Sequence, residues 1–263
     1  MTNINRRAFT CTALALLLLA TRAAAEEIKV MTSGAFTAAH LALAPEFERA
    51  THHHIVTVYG ASMGSAPDSI PSRLQRGEPA DVVIMTAQAL DGLITQGKVS
   101  AGSRVDLVRS RIGVAVRAGA PKPDIASVDA LKRALLQARS IAYSSSASGV
   151  YIATELLPRL GIADAVKAKS RVVESGPVGA VVARGDAEIG FQQISELLPV
   201  DGIELVGPLP PEVQRVTVFS AGIAASSKAP DAARALIAFL ASPAAAPAIG
   251  KTGLESLAAP APR

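Results

Sequence analysis

Short apolar runs alternate with longer segments of helical periodicity along most of this chain. In the N-terminal third, three strand-like runs are each followed by a segment with apolar residues at three- and four-residue spacing. The predicted strands are 28–31, 55–59 and 82–85, and the predicted helices are 36–49, 70–75 and 87–96. This βαβαβα order predicts a parallel sheet with right-handed crossovers.

A second alternating unit begins near residue 110. Its predicted strands are 112–116, 140–143, 171–173, 188–192, 203–206 and 216–219, and its predicted helices are 128–137, 150–160 and 178–184. Ser127 is a suitable N-cap for the first of these helices. Closing helices are expected at 231–241 and 244–250, and the Pro/Ala-rich tail 258–263 is expected to fray.

The two units are interpreted as the two lobes of one α/β protein. We expect the chain to enter the second lobe near Ser110 and to return to the first near Ser220. Lobe 1 would then comprise residues 26–109 and 220–263, and lobe 2 residues 110–219. Because two segments would cross between the lobes, they would act as a hinge.

The first 25 residues have the features of a secretory signal peptide. Arg6 and Arg7 precede an apolar run from 8 to 20, and the segment 23–25 is an Ala-x-Ala cleavage site. The run is shorter than the roughly 20 residues that span a bilayer. We therefore expect cleavage after Ala25, a periplasmic location and no membrane insertion. Phe9 after the arginine pair leaves Sec and twin-arginine export both open.

Composition narrows the function classes once the signal is set aside. The chain has 26 Lys+Arg and 22 Asp+Glu, and three of the arginines lie in the signal, so 23 basic residues face 22 acidic ones. This balance argues against a nucleic-acid or anionic-lipid surface. Since Cys11 is the sole cysteine, the mature chain has no disulfide and no cysteine metal ligand. An aromatic content of 3% without tryptophan argues against stacking of sugars or bases.

Four junctions between a predicted strand and the next helix combine hydroxyl side chains with small residues. The junctions are 32–35 (TSGA), 60–65 (GASMGS), 143–149 (YSSSASG) and 174–177 (ESGP). Ligands of open parallel sheets bind beyond the carboxyl ends of the strands, where helices begin with about half a positive charge. Each junction alone is most simply a cap and a turn. Four of them on two lobes predict one anion site in the cleft.

Several stretches of the chain are typical of one known family. They are Ser33-Gly34, the loop at Ser62, residues 72–83 with the motif Gly77-Glu78-Pro79-Ala80-Asp81-Val82-Val83, residues 148–151 and residues 184–191. These stretches resemble the molybdate-binding branch of the ABC-transporter solute-binding proteins. The resemblance implies a type II periplasmic binding protein fold. It also implies that Ser33, Ser62 and the backbone around Ser148 contact an oxyanion. Where the molybdate binders have a tyrosine, this chain has Gln193, a departure that favours a carboxylate ligand.

A second set of stretches is spread over the whole chain: residues 31–37, 59–64, 68–71, 143–149 and 190–199, the last with a double glutamine (GFQQISELLP). By these stretches the chain resembles the periplasmic aconitate isomerases, which share this fold. It implies that the protein interconverts trans- and cis-aconitate by moving a proton between allylic carbons. No metal or cofactor is implied.

Such a reaction needs a base that removes a methylene proton, an acid that returns one, and donors that stabilise the dienolate. Glu174 at a strand end, His40 on the first helix and Tyr151 at the head of the Ser148 helix are candidates. Each has a simpler interpretation, respectively as a solvated loop acid, a helix surface residue and a packing residue. Their spacing does not select one of them.

The expected ligand-binding residues come from the junctions, together with one arginine and one glutamine. They are Ser33, Gly34, Ser62, Met63, Arg73, Ser145, Ser148, Gly149 and Gln193. Arg73 could pair with a carboxylate, but a solvated helix arginine is an equally good interpretation. The run His52-His53-His54 is not expected to bind a metal, because neighbouring side chains of a strand point to opposite faces.

Two functions of different class fit these observations. The first is a periplasmic aconitate isomerase. The second is a non-catalytic component of an ABC transporter, which would deliver a molybdate-like oxyanion or a small carboxylate to a permease. The fold does not separate them, because one scaffold hosts both. Either function predicts a monomer that holds a small anion between its lobes, and the overall resemblance favours the isomerase.

Overall fold

A computed structural model describes residues 25–258, which form ten strands in one sheet. The strands are β1 (Glu27–Thr32), β2 (His54–Tyr59), β3 (Val82–Thr86), β4 (Val105–Arg117), β5 (Ile141–Ser144), β6 (Ser170–Val173), β7 (Ile189–Gln193), β8 (Ile203–Pro208), β9 (Val216–Ile223) and β10 (Glu255–Ser256). The order along the sheet is β2-β1-β3-β9-β4-β7-β5-β6, and β8 and β10 also pair with β4. Except for Ala25, the expected signal peptide lies outside the described residues, as does the tail from 259.

Helices cover both faces of the sheet. They are α1 (Gly34–Thr51), α2 (Ile70–Gln75), α3 (Ala87–Thr95), α4 (Val128–Gln137), α5 (Ala147–Tyr151), α6 (Leu157–Arg159), α7 (Ala163–Lys167), α8 (Val178–Ala183), α9 (Ile194–Leu197), α10 (Pro230–Leu240) and α11 (Ala246–Lys251). A π-helical turn (Ile152–Leu156) joins α5 to α6, and a 3-10 turn (Pro211–Val213) lies between β8 and β9. Between residues 25 and 258, no helix is both long and apolar enough to cross a membrane.

The parallel sheet predicted for the N-terminal third is present. β1 pairs in parallel with β2 on one side and with β3 on the other. All five residues of β3 are buried, as expected for a strand with helices on both faces. The Ser33 N–H donates to the Ile84 carbonyl at 2.9 Å, so the start of α1 is held at the carboxyl end of this sheet.

Two antiparallel strands connect this part of the sheet to the rest. The 13-residue strand β4 pairs with β9 along Val105–Arg111 and with β7 and β8 along Ile112–Arg117. The sequence pattern predicted only 112–116, because charged side chains interrupt the apolar run before Ile112. The expected crossing points Ser110 and Ser220 fall inside β4 and β9. The lobe boundaries derived from them stay a prediction.

The second parallel group is β7-β5-β6, and each of its strands leads into a helix. The predicted cap of α4 is confirmed, since the Ser127 hydroxyl accepts the Ala130 N–H at 3.2 Å. Helix α5 begins three residues before the predicted start, so Ser146 is its N-cap. A Cβ at Gly149 would collide with the Ser144 carbonyl, so glycine lets this helix start directly over the end of β5.

Buried apolar residues pack on both faces of each parallel group. Ile28, Val30, Val82 and Ile84 face α1, α10 and α11, whereas Met31, Val83 and Met85 face α2 and α3. A cluster around Ile141 and Phe191 packs under α4 and α5, and a smaller one around Ala142 packs under α8. This alternation follows from strand geometry, which sends successive side chains to opposite faces. The result is a helix–sheet–helix sandwich.

Asp81, in the family motif 77–83, joins three parts of the chain. Its buried carboxylate accepts the N–H groups of Lys29 at 2.8 Å, Lys228 at 2.8 Å and Ala229 at 3.2 Å, and the Ser227 hydroxyl at 2.7 Å. Burial alone would raise the pKa of Asp81, but these hydrogen bonds outweigh it and lower the pKa. The motif therefore has a structural role, which is to attach the start of α10 to β1 and β3.

Candidate functional site

The carboxyl ends of the parallel strands border an outer cavity of about 590 Å³. All four serine- and glycine-rich junctions contribute to its lining. Lining residues include Gly34, Gly60, Asp68, Ser144, Ser145, Ser146, Glu174, Ser175, Gln192, Ser195 and Glu196. The volume lies within the range of about 300–1,000 Å³ that is typical of small-molecule sites.

An inner cavity of about 20 Å³ adjoins the outer one. Its lining includes Ser33, Gly34, Ser62, Ser146, Ser148, Gln193 and Glu196. Gly34, Ser146 and Glu196 line both cavities, so the two spaces meet at these residues. The inner cavity is large enough for about one water-sized group. It lies where the first turns of α1 and α5 approach each other from the two parallel groups of strands.

The inner cavity is rich in uncommitted hydrogen-bond donors. Ser33 and Ser146 are the N-caps of α1 and α5, and neither side chain makes a capping hydrogen bond. The buried Ser33 hydroxyl has no partner among residues 25–258. Ser62 accepts the Thr86 N–H at 3.1 Å, which leaves its own proton free to donate. Together with the unpaired N–H groups of a helix start, these hydroxyls can bind a carboxylate or an oxyanion.

The serine-rich junction before α5 serves both cavities. The hydroxyls of Ser144 and Ser148 are 3.3 Å apart, and Ser148 lines the inner cavity. Ser145 lines the outer cavity and donates to the Glu174 carbonyl at 3.3 Å. The hydroxyls thus form a continuous polar surface from the rim to the inner cavity.

Glu196 is an ionisable residue of both cavities that the sequence analysis did not select. Glu196 is half-buried and lines both cavities, and its carboxyl group accepts the Gln192 side-chain amide at 3.0 Å. Burial raises the pKa of Glu196 to about 7, although hydrogen bonds from the Gln192 side chain and the Gln193 backbone act in the opposite direction. At neutral pH both protonation states of this carboxyl group are therefore populated.

Two local features place this carboxyl group. Glu196 is the third residue of α9, which starts directly at the end of the buried strand β7. Its carboxyl lies against the first turn of α1, where a Cβ at Gly34 would collide with Oε1. The one available sequence signal was its position in the segment 190–199 that resembles the isomerases. The sequence pattern predicts no helix over 194–197, and the contact with α1 is not visible in it.

The raised pKa of Glu196 predicts a stability effect. The ordinary pKa of a glutamate is 4.5, and that of Glu196 in the folded protein is about 7. Between these two pH values the folded protein holds a proton that the unfolded chain releases. Stability therefore falls as pH rises through this window, by up to ~3 kcal/mol at about 1.4 kcal/mol per pH unit. Glu196→Gln is expected to raise the free energy of unfolding by about 1–3 kcal/mol at pH 8 and hardly at pH 4.5. Urea unfolding at both pH values measures this; an equal effect at both would contradict it.

The adjacent residues Gln192 and Gln193 link the cavities to neighbouring secondary-structure elements. Gln192 accepts the Val178 N–H at the start of α8 at 2.8 Å while it donates to Glu196. Gln193 lines the inner cavity and accepts the Ser110 hydroxyl of β4 at 2.7 Å. Both side chains are buried. Gln192 therefore orients the carboxyl group of Glu196. Gln193 links the lining of the inner cavity to β4, which lies between the two parallel groups of strands in the sheet.

Two of the sequence-based catalytic candidates lie outside both cavities. His40 is buried against β2, with Nε2 2.8 Å from the Thr57 hydroxyl, and burial lowers its pKa to about 4. The Tyr151 hydroxyl donates to the Val213 carbonyl, and its ring lies under the Arg215 guanidinium at 4.8 Å. The structure brings neither residue to the site, and His40 is a core histidine, not the surface residue considered above.

The other predicted site residues form two groups, those that line a cavity and those that do not. Glu174 lines the outer cavity, at an exposed position on its rim. Arg73 lines neither cavity, because its guanidinium pairs with Glu78 at 2.8 Å and donates to the Asp68 carbonyl at 3.1 Å. Met63 and Gly149 lie outside the lining of both cavities. Ser33, Gly34, Ser62, Ser145, Ser148 and Gln193 line one or both cavities.

The histidine run makes separate local contacts. His52 ends α1 in a left-handed conformation with φ of 63°. His53 Nδ1 accepts the Glu26 N–H at 3.1 Å, and His54 Nδ1 is 3.0 Å from Glu48. The side chains of His53 and His54 therefore have different partners.

The charges at the cavities require a particular mode of anion binding. Among the described residues that line either cavity, the carboxylates are Asp68, Glu174 and Glu196, and none is lysine or arginine. A negative ligand must therefore be held by hydroxyls and main-chain N–H groups. Such donors suit carboxylates because they provide directed hydrogen bonds at a helix start without a formal cation.

Known proteins share sequence similarity with nearly the whole described chain. The family model for bacterial extracellular solute-binding proteins matches residues 28–255. An aconitate isomerase from Pseudomonas sp. is 48% identical over 232 residues, which cover 88% of this chain and 88% of that protein. The molybdate-binding protein of Azotobacter vinelandii is 29% identical over 244 residues, which cover 90% of this chain and 92% of that protein.

A solved structure agrees with these sequence matches. The periplasmic molybdate-binding protein of Azotobacter vinelandii superposes with a TM-score of 0.70 at 25% identity, and the match covers 86% of this chain and 98% of that one. The expected two-lobed type II periplasmic binding protein fold is thereby confirmed. The chain belongs to the family of bacterial extracellular solute-binding proteins.

Proposed function

We propose that this protein is an isomerase that interconverts trans- and cis-aconitate on a solute-binding-protein scaffold. The observation that carries the proposal is the 48% identity to an aconitate isomerase over 88% of both chains. The cavities support it, since their hydroxyls and helix starts suit a ligand with several carboxylates. An ionisable group with a pKa near 7, Glu196, lies at the junction of the two spaces.

The proposed reaction is an allylic proton shift. A base takes a proton from the methylene carbon, and the C–H electrons form a new C=C bond to the central carbon. The original double bond shifts its electrons towards the neighbouring carboxylate, which gives a dienolate. Donors at the first turns of α1 and α5 stabilise that charge. Return of a proton to the former vinylic carbon completes the shift, so the atoms and electrons balance without an oxidant or a metal.

The proposed cellular setting follows from the N-terminal sequence. We propose that residues 1–25 direct export to the periplasm and are then removed. The lobes would comprise residues 26–109 with 220–263 and residues 110–219, with the crossing segments in β4 and β9 as the hinge. Closure about that hinge would exclude water from the dienolate. The protein is expected to act as a monomer and without a cofactor.

Turnover by the purified mature protein is the direct test. Incubation with trans-aconitate should yield cis-aconitate, which chromatography separates and quantifies. The reverse incubation should reach the same final ratio, because a catalyst does not change the equilibrium. Absence of turnover in both directions would overturn the proposal.

The second candidate is a receptor that delivers an anion to an ABC permease. The 29% identity to a molybdate-binding protein and the serines of the inner cavity favour it. Calorimetry with molybdate and with tungstate tests it. Tight binding of either oxyanion together with no turnover would make this the better assignment, whereas turnover without oxyanion binding would exclude it.

Ser33→Ala separates a ligand contact from a structural one. The Ser33 hydroxyl is buried without a partner, so its removal breaks no hydrogen bond in the free protein. Stability should therefore stay within about 0.5 kcal/mol of the parent or rise. If the hydroxyl binds a substrate carboxylate, KM should rise about five- to twentyfold, equivalent to roughly 1–2 kcal/mol.

Ser242→Ala is the matched control for that variant. The Ser242 hydroxyl is likewise buried without a partner among the described residues, but it lines neither cavity. Steady-state kinetics should show unchanged KM for this control. An unchanged KM in Ser33→Ala as well would contradict the placement of the substrate at the inner cavity.

A further inference from the structure

We propose that Glu196 is the catalytic residue that removes the methylene proton of the substrate and returns it at the other allylic carbon. This inference rests on the proposed isomerase function and assigns the proton transfer to one named group. Three observations support it: the position of the carboxyl group, the residues that contact it, and the location of the other acids at the exposed rim.

Glu196 lies at the junction of the two cavities. Glu196 lines both the inner and the outer cavity, where a substrate that spans them would pass. The buried Ser195 hydroxyl, next to it in the chain, lines the outer cavity and has no partner among residues 25–258. The equally unpartnered Ser33 hydroxyl lines the inner cavity. A base flanked by free donors is the arrangement that dienolate formation requires, because the base and the charge stabilisers must act together.

The neighbours of the carboxyl group hold it in one orientation. Gln192 donates to Oε1 at 3.0 Å and is itself fixed by the Val178 N–H at 2.8 Å. Gly34 leaves room for the carboxyl group against α1, and a side chain there would displace it. A base held from two sides is preorganised, which lowers the cost of reaching the reactive geometry.

The other ionisable groups are less suitable. Asp68 and Glu174 line only the outer cavity and are exposed at its rim, where water competes for the proton. His40 and Tyr151 line neither cavity. Burial also gives Glu196 a pKa of about 7, the value at which a group both accepts and returns a proton readily. In the step itself the carboxylate becomes a carboxylic acid and then gives the proton back.

A purely structural role for Glu196 makes a different prediction. Glu196 is the third residue of α9, and the Gln193 N–H at the N-cap contributes to its pKa as in a capping box. Glutamine also serves in a capping box, and its amide oxygen can accept from Gln192 as the carboxylate does. Glu196→Gln should therefore keep the fold and the local hydrogen bonds, and it should lose only the ability to take a proton.

The experiment compares wild type with Glu196→Gln in turnover, binding and proton transfer. Turnover should fall about 1,000-fold, while calorimetry should give a trans-aconitate Kd within about threefold of wild type. With substrate deuterated at the methylene carbon, NMR should show that wild type transfers deuterium to the other allylic carbon and that the variant does not. Glu48→Gln is the matched control, since Glu48 also accepts a main-chain N–H, at 2.7 Å from Ile55, but lines neither cavity. It should keep wild-type turnover.

A shortened carboxylate provides the conservative comparison. Glu196→Asp keeps an ionisable group but withdraws it by one methylene, so its turnover should lie at least tenfold above that of Glu196→Gln. A structural cap would not produce that order, because glutamine is the better structural match. The kcat/KM of wild type should fall below pH 7 as Glu196 becomes protonated, and Asp68 and Glu174 are the other acids that face this cavity.

The outcomes separate this inference from the proposed function. Wild-type protein without turnover would overturn the isomerase function itself. Active wild type with Glu196→Gln within tenfold of it would leave that function intact and overturn the role of Glu196. Loss of turnover in Glu174→Gln but not in Glu196→Gln would also overturn it and would assign the base to the rim. Loss in Glu196→Gln together with loss of binding and of the native circular dichroism would contradict it as well.

Discussion

Gly34→Ala is expected to reduce kcat about 100-fold while the protein stays folded. The new methyl group would collide with Oε1 of Glu196, and the carboxyl group must move because it is the end of a flexible side chain. Gly34 is the first residue of α1 and has a backbone conformation that alanine adopts readily. The free energy of unfolding should therefore change by less than ~1 kcal/mol. Steady-state kinetics and urea unfolding of the same preparation measure the two effects.

Gly92→Ala is the control for this substitution. Gly92 lies inside α3, and a Cβ there meets no atom within 4 Å. Alanine should stabilise this helix by about 0.5–1 kcal/mol and leave kcat unchanged. If Gly34→Ala kept wild-type kcat, the carboxyl group of Glu196 could be moved without consequence, and its proposed catalytic role would lose its geometric support.

Asp81→Ala is expected to lower the free energy of unfolding by about 3–5 kcal/mol. It would leave the N–H groups of Lys29, Lys228 and Ala229 without their acceptor at a buried position. Each buried donor without an acceptor costs roughly 1–3 kcal/mol, and water that enters the site relieves part of this. For a chain of this size the loss corresponds to a fall in Tm of about 10 °C. Thermal unfolding followed by circular dichroism is the measurement.

The pH dependence gives an independent check on Asp81. Its folded pKa lies below the ordinary value of 3.8, so its contribution is complete above that value and is lost as pH falls through the folded pKa. The difference between wild type and Asp81→Ala should therefore shrink in acid. Asp231→Ala, on the first turn of α10 with a 95% exposed side chain, should cost less than ~1 kcal/mol. Equal effects of the two substitutions would contradict the assigned role of Asp81.

Together these variants test a division of roles among the acids of this protein. Asp81 is buried with four donors, so its charge is satisfied and its role is structural. Glu196 has fewer donors and borders a cavity, so its charge is costly and its proton is available. A carboxyl group thus stabilises the fold at one position and, as proposed, acts in catalysis at another, because its local hydrogen bonds differ.

The order of the longer strands and helices, and the serine- and glycine-rich lining of the cavities, could be predicted from the sequence, whereas the short elements α7, α9 and β10 were not predicted. Apolar periodicity identified the parallel strands, because a strand covered on both faces reads as a continuous apolar run such as 82–85. Serine and glycine after strand ends identified the lining of the cavities, because these residues permit close approach at a helix start. The first half of β4 was missed, since charged residues on an exposed strand face conceal the pattern.

The identity of the ionisable group at the cavity required the tertiary structure. Glu196 lies 162 positions from Gly34 in the chain, and no local pattern indicates that their atoms meet. His40 has the sequence context of a surface helix residue, yet the packing of α1 on β2 buries it. The sequence alone therefore determined the fold class, the serine- and glycine-rich edge of the sheet and the residue types there, since these follow from local propensity and periodicity. Only tertiary packing decided which carboxyl group is desolvated, because desolvation depends on neighbours that are distant along the chain.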